Sequence, residues 1–253
     1  MTYEANRPVK TTVKTFEIIE QLSRTDRIRL STLADELDVS KGIIHNHLST
    51  LRELGYVRKV GDRYQLSAKL LSVGFRTRSH SQLFAAAHPP LTEVADRVDT
   101  GVVLCEQAAS DCIVIDAQQL PAGVDTTVGT TIPLSESLLG QVVDSRAATA
   151  SESAELSNTY DPAAIDEAID ERGYAIGPIT SETAVDCIAV PICEETGDCY
   201  GSLGVMLPSG AGEQRSQQCI EAALQLRTRT ERRLGSGWEA TRSFATEKHS
   251  WIT

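Results

Sequence analysis

Between Ser40 and Ser49 the chain gathers side chains suited to hydrogen bonding along an extended polar surface. Lys41 offers a positive charge for a phosphate, and Gly42 leaves room for close approach. His45, Asn46 and Ser49 supply donors and acceptors, and an asparagine amide matches the N6/N7 edge of adenine with two hydrogen bonds. A second set, Arg58, Lys59 and Arg63, surrounds the dipeptide Gly61-Asp62, where cations on a tight turn would meet a nucleic-acid backbone. None of this is the chemistry of bond cleavage; it is the chemistry of reading duplex DNA.

The elements that must position these groups follow from periodicity. Leu30, Leu33 and Leu37 stripe one helix, and Asp38-Val39-Ser40 breaks it. Ser40 is placed to cap a second helix over residues 41–54, in which Ile44, Leu48 and Leu51 share one face. At 100° per residue Gly42, His45, Asn46 and Ser49 fall away from that face, so only small or hydrogen-bonding side chains are expected to stand outward at its start. His47 lies nearer the leucine face and is expected to pack. Gly55 ends the helix, and short strands over 56–60 and 63–66 form a wing. A first helix over 10–24, with Phe16, Ile19 and Leu22 along one flank, completes a winged helix-turn-helix over residues 1–67. Such helix pairs also occur as plain packing units; the basic wing favours DNA, whose major groove of about 12 Å admits a helix.

Charge distribution supports the same division. The 253 residues carry a net −11, yet residues 1–78 hold 14 Lys+Arg against 9 Asp+Glu, a net of +5, leaving −16 for the rest. A basic head suits DNA and an acidic body would be repelled by it, so two domains with different tasks are expected. Only 6 of the 24 basic residues are lysine, a composition that suggests adaptation to high salt, as in a salt-adapted archaeon. No apolar run is long enough to span a bilayer and the N-terminus has no signal-peptide core, so a cytoplasmic protein is expected. Six cysteines in that setting read as reduced thiols. Cys193 and Cys199 bracket a turn and could face each other as a redox or metal pair.

Beyond the wing, residues 68–88 read as a helical linker stopped by Pro89-Pro90, because proline cannot continue the helical ladder. Residues 89–234 alternate strands and helices: a helix over 91–98, strands over 101–107 and 112–118, an extended piece within 124–132 and a helix over 135–144. A polar surface stretch follows over 146–160, then a helix over 162–172, strands over 186–192 and 200–207, and a long helix over 213–234. Residues 235–253 read as a mobile tail. The fold class is therefore α+β.

These segments, in this order, resemble the IclR-type transcriptional regulators over residues 13–208. The resemblance rests on Ser40-Lys41-Gly42-Ile43-Ile44-His45-Asn46-His47-Leu48, on Val128-Gly129-Thr130-Thr131-Ile132-Pro133-Leu134 with Leu139-Gly140, and on Glu171-Arg172-Gly173-Tyr174-Ala175. Cys187-Ile188-Ala189-Val190-Pro191 and Gly201-Ser202-Leu203-Gly204-Val205 extend it, while Gln141 stands where the family usually has lysine. The resemblance implies a GAF-like C-terminal sensor that binds a small metabolite, often a carboxylate or aromatic acid. It also implies homodimers formed through the head and linker, homotetramers formed through the sensors, and a palindromic operator.

It places the effector against Ser135, Ser137, Leu138, Cys187, Gly204 and Met206. A helix start near Ser135 would present free amides to an anion, although Ser135 could equally be a plain cap. Gly177, Gly204 and Met206 replace polar groups found in some members, which favours a larger or more apolar effector, or a body that only oligomerises. No catalytic residue, cofactor or metal is expected. Cys187 as a nucleophile would need a base, and all five histidines lie outside residues 89–248, so no histidine is expected in the core of the second domain. A thiol- or metal-responsive regulator using Cys193 and Cys199 is the alternative.

Overall fold

The computed structural model describes residues 5–124, 126–146, 160–180, 185–193 and 199–246, the last eleven of them as backbone alone. The chain divides between Ser79 and His80 into two compact units.

In the first unit, α1 (Lys10–Ser23), α2 (Leu30–Glu36) and α3 (Lys41–Glu53) enclose a core of Ile18, Leu22, Leu33, Ile44, Leu48, Leu51 and Tyr64. The apolar spacing of α3 buries Ile44, Leu48 and Leu51 as one stripe, and Ser40 Oγ accepts from the Ile43 amide at its start. Gly55 closes it at a positive φ of 82°, a conformation that costs a side chain energy. The wing, β2 (Val57–Val60) and β3 (Arg63–Leu66), is extended by a two-residue strand, β1 (Ile28–Arg29), pairing antiparallel with β3. β1 is too short to carry a periodic signal. α1 departs from its expected flank: Ile18 and Leu22 are buried, whereas Phe16 is exposed beside Val9 and Val13. α4 (Lys69–His80) starts from this unit, with Lys69 Nζ donating to Leu54 O and lying over the Tyr56 ring. α4 buries none of its residues, and Leu71, Val73 and Phe75 are exposed.

In the second unit a six-stranded antiparallel sheet runs β6-β5-β4-β9-β8-β7. Its strands are β4 (Val102–Ala108), β5 (Asp111–Gln118), β6 (Thr131–Pro133), β7 (Ala175–Pro178), β8 (Asp186–Cys193) and β9 (Cys199–Met206). α5 (Gln82–Val98) and α8 (Glu213–Thr246) cover one face through Leu91, Val94, Ile188, Val190, Leu203, Val205 and Leu226. α6 (Leu138–Asp144) and α7 (Pro162–Arg172) cover the other. Asp161 caps α7 through the Ala163 amide and Gly173 closes it at φ 80°.

Three expectations are corrected. Pro89 and Pro90 do not stop a helix: α5 runs through both, and the break falls earlier, at Ser81, whose Oγ caps α5 through the Phe84 amide. The apolar face of α5, buried from Leu83 to Val98, holds the helix across the missing hydrogen bonds. α8 continues helically through Thr246, where a mobile tail was expected from 235. Tyr160, assigned to a surface stretch, is buried against Cys187 and Ile179; residues 147–159 of that stretch lie outside the described residues. His88 lies on α5, in the second unit, with its Nδ1 2.6 Å from the buried Asp116 carboxylate.

Candidate nucleic-acid interface and effector face

α3 presents its polar residues outward. Ser40, Lys41, Gly42, His45, Asn46 and Ser49 are not covered by the core beneath Ile44, Leu48 and Leu51. His47 is half-buried and tied to Thr15 Oγ1 of α1 at 2.9 Å, which sets the two helices against each other. One feature differs from the expectation of small or polar groups alone: Ile43 is 48% exposed on the same outward arc.

The wing's register explains which cations it offers together. Arg58 lies opposite Gln65 and Val60 opposite Arg63, so Arg58 and Arg63 share one face of the ribbon. Lys59 alternates to the other face, over the Tyr64 ring at 5.5 Å. Arg29 of β1 lies opposite Arg63 and is bonded to Asp62 at 2.7 Å, which fixes the turn to the neighbouring strand. That guanidinium holds the Asp62 carboxyl below its ordinary range. An exposed helix of hydrogen-bonding side chains beside an arginine-bearing ribbon can enter a major groove and hold the flanking phosphates.

The second unit brings most of the expected effector residues onto one sheet face. Cys187, Gly204 and Met206 are buried there beneath Leu138 and Leu139 of α6. Ser137, not Ser135, caps α6: its Oγ accepts from the Gly140 amide at 2.9 Å. Ser135 lies in the preceding 3-10 turn, Leu134–Glu136, half-buried. The Leu138 amide donates to Ile179 O at 3.2 Å, so the anion site expected at this turn would have to compete for that donor. A Cβ at Gly204 would meet Val103 and Leu139 at 2.9–3.0 Å, which explains the absence of a side chain there. Gln141, where lysine was expected, is buried and donates to Leu134 O.

Two residues of this face escaped sequence reasoning. Tyr160 donates to Pro178 O at 3.0 Å, and burial with the nearby Cys187 pushes its phenol up to about 12. Ser202, fully buried, has no hydrogen-bond partner for Oγ among the described residues. The alternation that puts Leu203 and Val205 toward α5 and α8 puts Ser202 on the side of Gly204 and Met206.

Cys187 and Cys105 are held toward the protonated form. Burial, reinforced by Asp186, pushes Cys187 up to about 12, and Cys105 is raised by its hydrogen bond with the free thiol Cys112 and by burial. The one histidine of the described second unit that bonds to the sheet, His88, does so on the opposite face, through Asp116 beside Leu104. Cys193 and Cys199, expected as reduced thiols, are joined in a disulfide across β8 and β9, where they are register partners with Cα atoms 3.9 Å apart. The turn between them lies outside the described residues.

Fold and site together define a DNA-binding transcriptional regulator with a winged helix-turn-helix head. Comparison with known proteins shows what the chain is similar to. The IclR helix-turn-helix domain matches residues 11–61. The HTH-type transcriptional regulator KdgR of Escherichia coli K12 is 23% identical over 232 residues, covering 84% of this chain and 88% of its own. The crystal structure of an IclR transcriptional regulator from Alicyclobacillus acidocaldarius superposes with a TM-score of 0.75 at 18% identity, over 89% of this chain and 98% of that one. An IclR homologue from Microbacterium hydrocarbonoxydans complexed with 4-hydroxybenzoate superposes with a TM-score of 0.63 at 18% identity, over 85% and 98%. Residues 11–61 thus match an IclR-type helix-turn-helix domain, and the chain is similar over most of its length to HTH-type transcriptional regulators.

Proposed function

We propose that the second unit binds a small, largely apolar effector carrying at least one hydrogen-bonding group, and that binding alters the affinity of the head for its operator. The observation that carries this reading is the Ser202 hydroxyl, fully buried without a partner on the face covered by α6. An unmet buried hydroxyl costs about 1–3 kcal/mol, a deficit that a ligand group would remove. The apolar character follows from the residues packed on that face: Cys187, Met206, Leu138 and Leu139 offer bulk and little charge. The fold neighbour with 4-hydroxybenzoate supports an aromatic acid as the first class to try. The regulator would work in the cytoplasm, as a homodimer or homotetramer on a palindromic operator. Base contacts would fall to His45, Asn46 and Ser49, and phosphate contacts to Ser40, Lys41, Arg58 and Arg63, with Gly42 allowing close approach.

A thermal-shift screen of aromatic acids, other organic acids and sugars tests the effector. A compound that raises the melting temperature of the wild type, and less that of Ser202→Ala, supports the proposal. Equal shifts in both proteins remove Ser202 from the site, and no shift with any class leaves the body as an oligomerisation module.

The Cys193–Cys199 disulfide favours a second reading, a thiol-responsive regulator. Its test is operator binding before and after reduction by dithiothreitol, with Cys193→Ser as control. A change confined to the wild type supports it; equal binding in both states rejects it.

A further inference from the structure

Ile43 is the third residue of α3, and it stands 48% exposed although isoleucine is ordinarily a core residue. It takes no part in the head's core, whose α3 members are Ile44, Leu48 and Leu51. Local stability does not explain it either, because a β-branched side chain in an exposed helical position is less favourable than alanine. Its surroundings are those of the reading surface. Gly42 beside it opens onto empty space, and Asn46 follows one turn later on the same side. The Thr50 hydroxyl, a further turn on, is spent on Asn46 O at 3.1 Å.

The first turns of a recognition helix are those that reach base edges. Among the bases only thymine presents a methyl group to the major groove. We infer that Ile43 packs against the 5-methyl group of a thymine in each operator half-site, adding an apolar element of specificity beside the polar contacts of Asn46. This rests on the reading of α3 as the recognition helix. Residues three apart on a helix lie about 5–6 Å apart at Cβ. The base pairs met by Ile43 and Asn46 are therefore neighbours or next neighbours.

The full chain first selects duplexes from a random-sequence pool. Each thymine of the enriched half-site is then replaced by uracil, which deletes the methyl and leaves the pairing intact. At one position per half-site the replacement is expected to weaken wild-type binding about fourfold, the factor for losing the burial of one methyl group. The same replacement should leave Ile43→Ala unaffected, while Ile43→Val retains part of the discrimination. If every uracil substitution affects wild type and Ile43→Ala equally, the inference fails while DNA recognition stands. If Ile43→Ala changes the sedimentation coefficient of the free protein, the side chain serves a protein contact and the inference likewise fails. If no duplex is enriched, the recognition-helix reading itself fails and takes the inference with it.

Discussion

At the scale of single residues, burial decides what a functional group can do. Cys187 carries a reactive atom type, yet its thiol is held neutral by an apolar environment and the adjacent Asp186. The folded pKa of about 12 lies above the ordinary 9.0, so folding favours the protonated form. That contribution is fully present below pH 9, where both states are protonated, and is lost as pH rises toward 12. The melting temperature is therefore expected to fall across that window, and Cys187→Ala should flatten part of the fall; an unchanged profile would show that the thiol is not confined as described. Tyr160, also raised to about 12, accounts for a further part above its ordinary 10.0.

Residue chemistry was only partly visible beforehand. Asn46 and His45 announced themselves by type and spacing, but Ser202 and Tyr160 looked like any hydroxyl-bearing residues. Their significance comes from what packs over them, which no local pattern encodes. Ile43 was hidden for the opposite reason, since an isoleucine next to the buried Ile44 reads as core.

At the scale of elements, apolar spacing succeeded where one face is buried. α3 and α7 were legible because Ile44, Leu48 and Leu51, or Ile165 and Ile169, repeat at helical intervals between a cap and a closing glycine. α5 departs from the proline-based expectation because its long buried face outweighs the local effect of Pro89 and Pro90. The edge strand β7 and the two-residue β1 carry too few residues for a period. The junction of the 3-10 turn with α6 depends on a close approach: a Cβ at Gly140 would lie 2.4 Å from Leu134 O. Gly140→Ala must push the turn away from the helix, and overpacking of this kind costs about 1–3 kcal/mol. Urea unfolding of the variant is expected to show that loss, with the head's DNA affinity less affected than the stability of the body. A neutral effect would mean that the turn moves freely.

At the scale of the whole molecule, the charge division between a basic head and an acidic body favours the head over the body as the part that meets DNA. The proposed self-association would have a physical motive in the exposed apolar residues Leu71, Val73 and Phe75 of α4, with Val13 and Phe16 of α1. If that proposal holds, wild type is expected to sediment as an oligomer in analytical ultracentrifugation and Leu71→Glu with Phe75→Glu as a monomer; the same assembly in both would place the interface elsewhere. That two units exist was legible from charge alone. Where they divide was not, because Ser81 is an ordinary residue until its hydroxyl is seen capping α5 and bonding Glu106.

Enrichment of duplexes from a random pool by the full chain, compared with His45→Ala/Asn46→Ala, tests most directly whether α3 reads DNA. Wild type should enrich a two-fold-symmetric motif, and the double variant should lose discrimination at one or two positions in each half, with about 1–3 kcal/mol at stake for a bidentate asparagine contact. Enrichment of the same motif, to the same degree, by both proteins would contradict the account.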